Sequence, residues 1–357
     1  MSFTRYAVIM AGGSGERFWP LSRRLRPKQL LRLTNPDETL LEEAVNRIEP
    51  LVGRENTVIA TATHLERPIR EAGLLPPTNV VAEPDKRNTL GCLVWAAGVL
   101  SARHENPDEV SMAVLTADHK IGLPEAFRRT VDRALGIAEQ TGALVTIGIV
   151  PDRPETGYGY IEFDHAALVG TGSKVTSFRE KPSLEAAKEY LSEGRFLWNS
   201  GMFFWTLKSF YDELRDAEPE VERLAQVIAN SLRLGKKERA EEAFQELPNR
   251  SIDYVLMERA KKVAVVPSEF PWDDVGAWDS LERTMPVDEH ANVVQGQVLA
   301  VDTVNSILYN ENPAQTVTIV GGDNLIVIVT GDAVMICPKS DAQRVKEIVA
   351  QVPKELL

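Results

Sequence analysis

The chain contains 357 residues, of which 43% are hydrophobic and 26% are charged, and its formal net charge is -12. These proportions are ordinary for a globular enzyme and exclude an intrinsically disordered chain. The acidic balance argues against a general nucleic-acid or anionic-membrane surface, and no run approaches the ~18 apolar residues of a membrane-spanning helix. Cys92 and Cys337 have no disulfide or zinc spacing. Because no signal peptide is evident either, we expect a cytoplasmic protein.

The first 150 residues alternate between short apolar runs and patterns of helical period. The predicted strands are 6–10, 56–60, 79–82, 111–115 and 143–149, and the predicted helices are 40–48, 64–72, 89–104 and 125–140. Thr39 and Glu42 form a predicted capping box at the start of the first helix. The alternation is typical of a Rossmann-like α/β fold, with a mixed, mostly parallel sheet and helices on both faces.

The second half is less regular. Strands are predicted at 158–163, 175–179, 203–206 and 263–266, with helical patterns at 183–193, 209–247 and 252–259. Residues 293–337 contain short β-type runs and turn residues, which are consistent with coils of a small β-helix or with a meander. A helix is predicted at 340–352. The change of character divides the chain into a catalytic domain, 1–288, and a small C-terminal domain, 289–357.

A glycine-rich segment follows the first strand, with Gly12, Gly13 and Gly15 followed by Arg17 and, further on, Lys28. Glycines in this position let main-chain N–H groups approach an anion, although they also suit a tight strand-to-helix connection. The surrounding cations favour the anion, and they are Arg17, Arg23, Arg24, Arg26, Lys28 and Arg32. Phe18 stands where a dinucleotide fingerprint would have its third glycine, and no Lys-Ser/Thr pair completes a Walker loop.

Two positions in the sequence offer candidate carboxylates for a metal site. Asp118 follows an apolar strand, where open α/β sheets place ligand-binding groups, although a turn or N-cap aspartate is the alternative. Asp273 and Asp274 lie beside a glycine and two tryptophans, and the residues alone do not choose between these two aspartates. Two oxygen ligands plus substrate phosphates are what Mg²⁺ usually takes. His119 needs no role as a base, because attack by an existing phosphate oxygen removes no proton.

Three polar clusters lie at predicted strand edges, around Gly159, around Glu180 and Lys181, and around Asn199. Glu180 and Asn199 have the groups that bind vicinal hydroxyls, and Lys181 is a compact cation suited to a monoester phosphate. Each cluster is also compatible with a surface turn. Their order along the chain carries more information than any one of them.

That order resembles the sugar-nucleotide pyrophosphorylases, and over residues 5 to 350 it resembles the mannose-1-phosphate guanylyltransferases in particular. The matching segments are the glycine segment through Lys28-Gln29, Glu83-Pro84 with Arg87-Asn88-Thr89, Ala117-Asp118-His119, Gly157-Tyr158-Gly159-Tyr160-Ile161, Phe178-Arg179-Glu180-Lys181-Pro182, Trp198-Asn199-Ser200-Gly201-Met202-Phe203, Ser251-Ile252-Asp253-Tyr254 and Asp274-Val275-Gly276-Ala277-Trp278. Thr116 departs from the pattern, because the family more often has proline there.

The resemblance implies a role for each matching residue. Gly12, Gly13, Gly15, Arg17 and Lys28 would hold the triphosphate of GTP, Glu83 and Asn88 would lie near the purine, and Asp118 and Asp274 would bind Mg²⁺. Glu180 and Asn199 would orient the hexose, with Gly159 close to it and Lys181 on its phosphate; Arg17, Lys28 and Lys181 would be the catalytic cations. The resemblance also implies a GT-A-like catalytic domain, a short left-handed β-helix and a homodimer.

The expected reaction is transfer of GMP from GTP to α-D-mannose 1-phosphate, with release of pyrophosphate. The alternatives are a relative that uses another hexose 1-phosphate or nucleotide, a non-catalytic sugar-nucleotide sensor, and a nicotinamide-dependent oxidoreductase. The chain ends where longer bifunctional relatives continue into an isomerase domain, so isomerase activity is not expected. Residues from about 290 to 357 are expected to stabilise the catalytic domain and to contribute no catalytic group.

Overall fold

The computed structural model describes residues 3–357. Its strands, in chain order, are β1 (Thr4–Met10), β2 (Thr57–Ala62), β3 (Val80–Glu83), β4 (Val110–Thr116), β5 (Lys120–Ile121), β6 (Leu144–Ile149), β7 (Gly159–Val169), β8 (Gly172–Glu180), β9 (Phe196–Thr206), β10 (Val263–Pro267), β11 (Trp272–Asp273), β12 (Val293–Gln295), β13 (Val298–Val301), β14 (Ile307–Asn310), β15 (Val317–Val320), β16 (Leu325–Val329) and β17 (Val334–Pro338).

The α-helices alternate with these strands through most of the chain. They are α1 (Leu40–Val52), α2 (Glu66–Glu71), α3 (Asn88–Arg103), α4 (Pro124–Thr141), α5 (Leu184–Glu193), α6 (Leu207–Ala217), α7 (Pro219–Arg233), α8 (Lys237–Gln245), α9 (Leu281–Thr284) and α10 (Val345–Val349). The predicted capping box forms, because the main-chain N–H of Thr39 donates to Glu42 and that of Glu42 donates to the Thr39 hydroxyl. No helix among residues 3–357 has the length and apolar character needed to cross a membrane.

The chain folds into two compact units, each made of several segments. The first, here called the sheet unit, contains the described residues up to Gly12 together with Ala44–Thr116 and Gly122–Pro271. The second, the cradle unit, contains Gly13–Glu43, Ala117–Ile121 and Trp272–Leu357. The sequence-based division at residue 288 separates the chain at one point, whereas each of these units is assembled from three separate segments of the chain.

The sheet unit is built on a nine-stranded sheet of order β3-β2-β1-β4-β9-β6-β10-β8-β7. The first four strands are parallel, as the βα alternation predicts. The second half departs from the expectation of a mostly parallel sheet, because β9 runs antiparallel to β4, β6 and β7, and β8 runs antiparallel to β7 and β10. β7 and β8 form a hairpin with a short turn, which needs no helical crossover, whereas α5 lies between β8 and β9 in the chain.

The core of the sheet unit is centred on α3, whose sequence is apolar on almost every side. Leu93, Val94 and Leu100 are fully buried, and Trp95 is nearly so. The helix has no extended polar face because it packs against α7 as well as against β2 and β3 of the sheet. Residues 209–247, predicted as one helical stretch, are divided among α6, α7 and α8.

The cradle unit contains the β-helix-like part of the chain. Strands β12, β14 and β16 pair in parallel, and β13 pairs in parallel with β15. The pairs Val298↔Val317 and Ile307↔Ile326 each join residues 19 positions apart. Stacked parallel coils therefore replace the meander alternative, and β17 closes the larger sheet in the antiparallel sense. The predicted helix 340–352 is a 3-10 turn, Lys339–Arg344, followed by the short α10.

One apolar cluster holds the cradle unit together. It joins Phe18, Trp19 and Leu21, which follow the glycines, to Trp278 and to apolar side chains of the parallel coils. The coil residues in the cluster are Val293, Ile307, Tyr309, Ile326, Ile328 and Met335. The glycine segment and the C-terminal coils thus share a core.

Candidate active site

The glycine segment forms a turn that only glycine permits at one position. Gly15 has a φ of +64°, and a Cβ there would lie 2.4 Å from the Cβ of Lys28 and 2.8 Å from its main-chain nitrogen. Glycine therefore allows two one-turn 3-10 helices, Glu16–Phe18 and Lys28–Leu30, to lie side by side. A Cβ at Gly13 would meet nothing within 4 Å, so the main chain there is accessible to a ligand.

These two turns form one side of a cavity of about 380 Å³ that lies within the cradle unit. The cavity brings together six of the residues that the sequence predicts for the triphosphate and the metal, which are Gly13, Gly15, Arg17, Lys28, Asp118 and Asp274. The remaining lining residues are Ser14, Glu16, Phe18, His119, Gly276 and Lys346. Lys346 was not identified from the sequence.

The two predicted metal ligands are brought together by a short antiparallel ribbon. β5 begins two residues after Asp118, and β11 ends one residue before Asp274. Because Lys120 pairs with Asp273 in this ribbon, the two flanking carboxylates belong to the same end of it. The long segment between them, which forms most of the sheet unit, conceals this proximity in the sequence.

Lys28 is buried, and its ammonium bridges these two segments. Its Nζ donates to Oδ2 of Asp118 at 3.0 Å and to the main-chain oxygen of Asp274 at 2.7 Å. Burial is the largest single influence and raises the pKa of Asp118, but the charge of Lys28, the neighbouring His119 and the hydrogen bonds to the carboxylate together hold this pKa below its ordinary value. Asp118 is therefore ionised at neutral pH, as a carboxylate ligand of a metal ion must be.

The geometry distinguishes Asp273 from Asp274. Asp273 is buried, accepts from the Arg283 Nε at 2.7 Å and accepts from the main-chain N–H of Val275 at 2.8 Å. Its carboxylate is thus engaged in the local fold. Asp274 contributes to the cavity wall, so the geometry favours Asp274 as the member of the pair that meets a ligand.

His119 has a structural partner in the same ribbon. The indole N–H of Trp272 donates to Nδ1 of His119 at 3.1 Å. Burial lowers the pKa of His119, so the ring is neutral and carries its proton on Nε2. Nδ1 of His119 is therefore engaged as an acceptor within the ribbon.

The basic cluster around the glycines separates into two groups. Arg23 pairs with Asp332 at 2.6 Å and Arg26 pairs with Glu311 at 2.6 Å, so both cations connect the glycine segment to the C-terminal coils. Arg17 lines the cavity and donates weakly, at 3.4 Å, to the main-chain oxygen of Gly276. Of the predicted phosphate-binding cations, Arg17 and Lys28 are therefore the two that lie at the cavity.

Gly12, Glu83 and Asn88 belong to the sheet unit. A Cβ at Gly12 would lie 3.6 Å from Oε1 of Glu83. Glu83, which is predicted to lie near the purine, is therefore beside the first glycine. Oε2 of Glu83 is buried and has no hydrogen-bond partner within residues 3–357. Burial, followed by the nearby charge of Asp85, raises the pKa of Glu83 to about 7. Asn88 is exposed at the start of α3, where its Oδ1 accepts from the N–H of Thr89 at 2.7 Å.

The residues predicted to bind the hexose lie close together because β7 pairs with both β8 and β9. Gly159 pairs with Glu180 in the β7–β8 register, and Tyr160 pairs with Trp198, the neighbour of Asn199. A Cβ at Gly159 would lie 2.6 Å from Oε2 of Glu180 and 3.5 Å from the Cβ of Asn199. Gly159 therefore keeps open the space that these side chains surround.

Lys181 follows directly after β8. Its φ of +46° is in the left-handed region, and its Nζ lies 3.5 Å from Oε1 of Glu180. The side chain is 66% exposed, so its charge is available to a ligand beside Glu180, one of the residues predicted to bind the hexose.

Asp253 joins this group, although sequence reasoning assigned it no role beyond the family motif. Its Oδ1 accepts from Nδ2 of Asn199 at 2.8 Å, while Oδ1 of Asn199 accepts from the N–H of Gly201 at 3.2 Å. Both ends of the Asn199 amide are thereby oriented. Asp253 begins a π-helical turn, Asp253–Met257, a rare geometry that is frequent at functional sites and has no clear sequence signature.

Within residues 3–357, no group of three or more His, Cys, Asp and Glu side chains is arranged to hold a metal ion. A site made of Asp118 and Asp274 alone would need its remaining ligands from phosphate oxygens and water. Mg²⁺ is usually bound in this way in phosphoryl-transfer sites. The position beside Asp118 already accepts a cation, the ammonium of Lys28, so the residues fit such an ion.

Two family models match the chain. Residues 6–291 match the model described as nucleotidyl transferase, and residues 296–352 match the model described as MannoseP isomerase/GMP-like beta-helix domain. Together they cover both the glycine segment and the parallel coils.

Curated relatives and a solved structure extend this similarity. The mannose-1-phosphate guanylyltransferase of Escherichia coli (strain K12) is 39% identical over 97% of this chain and 73% of its own length. The mannose-1-phosphate guanylyltransferase ManC of Salmonella typhimurium is 38% identical over the same fractions. A structure from Thermus thermophilus, described as a mannose-1-phosphate geranyltransferase, is 36% identical with a TM-score of 0.86 and covers 98% of this chain and 99% of that one.

Proposed function

We propose that this chain, which belongs to the mannose-1-phosphate guanylyltransferase family, transfers GMP from GTP to α-D-mannose 1-phosphate. An oxygen of the sugar phosphate attacks the α-phosphorus in line, a new P–O bond forms, and the bond from the α-phosphorus to the leaving pyrophosphate breaks. The observation that carries this proposal is the cavity in which the glycine segment, Lys28, Asp118 and Asp274 meet.

The glycine segment and its cations would bind the triphosphate. The accessible main chain at Gly13 and the turn at Gly15 offer N–H groups to phosphate oxygens, as glycine-rich segments do in other phosphate sites. Arg17 and Lys28 would neutralise charge that builds on the α-phosphate and on the leaving pyrophosphate. Such preorganised charge is a large part of the rate enhancement in phosphoryl transfer.

Nucleotidyltransferases of this family generally use a divalent metal ion, and we propose Mg²⁺ held by Asp118 and Asp274. When bound, the ion would polarise phosphate oxygens and reduce repulsion between the two anionic substrates. Lys28 donates to Oδ2 of Asp118, so its ammonium would share this carboxylate with the ion. Asp273, with Arg283, would hold the main chain that presents Asp274.

Glu83 would read the base. Guanine presents two neighbouring donors, N1–H and the N2 amino group, and the buried Oε2 of Glu83 is an acceptor without a partner among residues 3–357. Adenine has no donor pair on the corresponding edge. A buried acceptor of this kind favours the base that satisfies it and rejects a base that leaves it unpaired. Gly12 and the exposed Asn88 belong to the same unit and complete the proposed base-binding residues.

The group around Gly159 would bind the hexose. Glu180 accepts from sugar hydroxyls, the oriented amide of Asn199 is suited to a hydroxyl oxygen, and Lys181 supplies a cation for the phosphate. The alternatives within the class, another hexose 1-phosphate or another nucleotide, differ in these same contacts.

We also propose a cytoplasmic location, a homodimer, a left-handed winding of the coils and a catalytic region ending near residue 288.

The test is pyrophosphate release with GTP, ATP, UTP and CTP, each combined with mannose, glucose and galactose 1-phosphates, with and without EDTA. We expect the highest kcat/KM for GTP with mannose 1-phosphate and loss of activity with EDTA. A preference for another pair would replace the proposed substrates but keep the reaction class. No turnover with any pair, despite GTP binding, would favour a sensor.

A further inference from the structure

Lys346 is a charged residue of the C-terminal helix α10 that lies on the wall of the cavity formed by the glycine segment. We propose that Lys346 is a nucleotide-binding residue and that the C-terminal module thereby completes the triphosphate site. The inference rests on the proposed function and goes beyond it. It also departs from the expectation that residues 290 to 357 contribute only stability.

The position of α10 is fixed by buried contacts. Val345, the neighbour of Lys346, and Ala342 in the preceding 3-10 turn are buried in the same apolar cluster as Phe18 and Trp19. The indole N–H of Trp19 also donates to the main-chain oxygen of Leu356 at 3.0 Å. The segment that carries Lys346 is therefore packed directly behind the glycine segment, and the proximity of Lys346 to the cavity follows from core packing.

Lys346 has no competing partner among residues 3–357. Other basic residues of this segment are paired: Lys339 lies 2.6 Å from Glu282, and Arg344 lies 3.3 Å from Asp341 and 3.2 Å from Glu347. An exposed lysine without a carboxylate partner retains its charge for a ligand.

The charge balance of the wall gives Lys346 a function. The wall carries three carboxylates, on Glu16, Asp118 and Asp274, and three Lys or Arg cations, on Arg17, Lys28 and Lys346. Without Lys346 the wall would be net negative, and one of the two remaining cations already neutralises Asp118. Before a metal ion binds, a triphosphate would then approach an acidic protein surface. With Lys346 the protein wall is neutral, and its unpaired cation is free to meet a phosphate oxygen.

The experiment compares Lys346→Ala, Lys346→Glu and Lys346→Arg with the wild type and with Lys354→Ala. Lys354 is the matched control, because it is an exposed lysine eight residues further on that does not line the cavity. Direct GTP binding is measured by calorimetry, and KM is measured separately for GTP and for mannose 1-phosphate. Thermal unfolding checks that every variant is folded.

We expect Lys346→Ala to weaken GTP binding by about fivefold, as befits one partly exposed charge contact, and Lys346→Glu to weaken it further. Lys346→Arg should restore most of the affinity, and the KM for mannose 1-phosphate should change little. Lys354→Ala should behave as the wild type. Equal GTP affinity in Lys346→Ala, Lys354→Ala and wild type would overturn the inference alone. Failure of the wild type to bind GTP would instead overturn the proposed function.

Discussion

The ammonium of Lys28 lies 3.0 Å from Oδ2 of Asp118. This contact makes Lys28 part of the proposed metal site as well as of the phosphate cavity, because the same carboxylate is a proposed metal ligand. The protein's own cation and a divalent ion would therefore share one oxygen donor group. A bound triphosphate attracts both the Lys28 ammonium and the divalent ion, so its binding should increase the affinity of the site for the ion.

Lys28→Met should lower turnover by about 10²–10³, because a preorganised charge at the reacting phosphates is removed. Binding of Mn²⁺ to the enzyme without nucleotide should be kept or tightened, since the competing ammonium is gone. Electron paramagnetic resonance measures free Mn²⁺ directly. Lys120→Met is the control, because Lys120 pairs with Glu43 at 3.0 Å and does not line the cavity. Loss of Mn²⁺ binding in Lys28→Met alone would show that Lys28 builds the site instead of competing within it.

The two neighbouring aspartates should respond differently to substitution. Asp274→Asn should reduce kcat by at least about 10² with little change in stability, because its proposed role is toward a metal. Asp273→Asn should lower the free energy of unfolding by about 2 kcal/mol, because Arg283 loses its buried charged partner. Urea unfolding and steady-state kinetics measure both. Near-normal activity of Asp274→Asn, with activity lost in a folded Asp273→Asn, would reverse the assignment.

Glu83 should make stability depend on pH in a defined window. Its pKa is raised from an ordinary value of 4.5 to about 7, so the folded protein holds this proton more tightly than the unfolded chain. Stability from this group is present below about pH 4.5 and is lost as the pH rises through about 7. Glu83→Gln removes this dependence. The variant should match the wild type near pH 5 and exceed it near pH 8 by about 2–3 kcal/mol in urea unfolding.

If the difference in unfolding free energy between Glu83→Gln and wild type were the same at every pH in that range, Glu83 would not be desolvated.

Guanine recognition has its own measurement, the ratio of kcat/KM for GTP and ATP. We expect this ratio to fall by about tenfold or more in Glu83→Gln, because the amide accepts one guanine donor where the carboxylate accepts two.

Asp253 should act on the sugar phosphate through Asn199. Asp253→Ala should raise the KM for mannose 1-phosphate by about tenfold, because the Asn199 amide loses the acceptor that orients it. Asp253→Asn keeps an acceptor oxygen and should lie close to wild type. The KM for GTP and the melting temperature should be nearly unchanged. Glu258→Gln removes a carboxylate that interacts electrostatically with Asp253 but takes no part in the Asn199 hydrogen bonds to Asp253 and Gly201. An equal change in KM there would point to general charge and not to orientation.

Removal of residues 289–357 should unfold the cradle unit. Phe18, Trp19 and Trp278 would lose the coil side chains that bury them, and Arg23 and Arg26 would lose Asp332 and Glu311. A truncated chain should therefore expose apolar surface and fail to bind GTP. Size-exclusion chromatography and calorimetry measure these effects. A monodisperse truncated protein with wild-type GTP affinity would contradict the shared core and also the role of Lys346.

Sequence patterns predicted the elements of this protein better than their arrangement. The strand before Gly12 and the capping box at Thr39 follow from local residues, so the sequence was sufficient for them. The antiparallel course of β9 and the 19-residue step of the coils depend on pairing between distant segments, and no local pattern encodes it. Lys346 was missed for the same reason, because only packing of α10 against the glycine segment brings it to the cavity.

The most direct measurement is ³¹P NMR of the purified protein with GTP, mannose 1-phosphate and Mg²⁺. We expect the signals of both substrates to fall together while those of GDP-mannose and pyrophosphate rise in equal amounts, and we expect Asp118→Asn to abolish this exchange. Conversion of GTP to GDP and phosphate, with mannose 1-phosphate unchanged, would contradict guanylyl transfer.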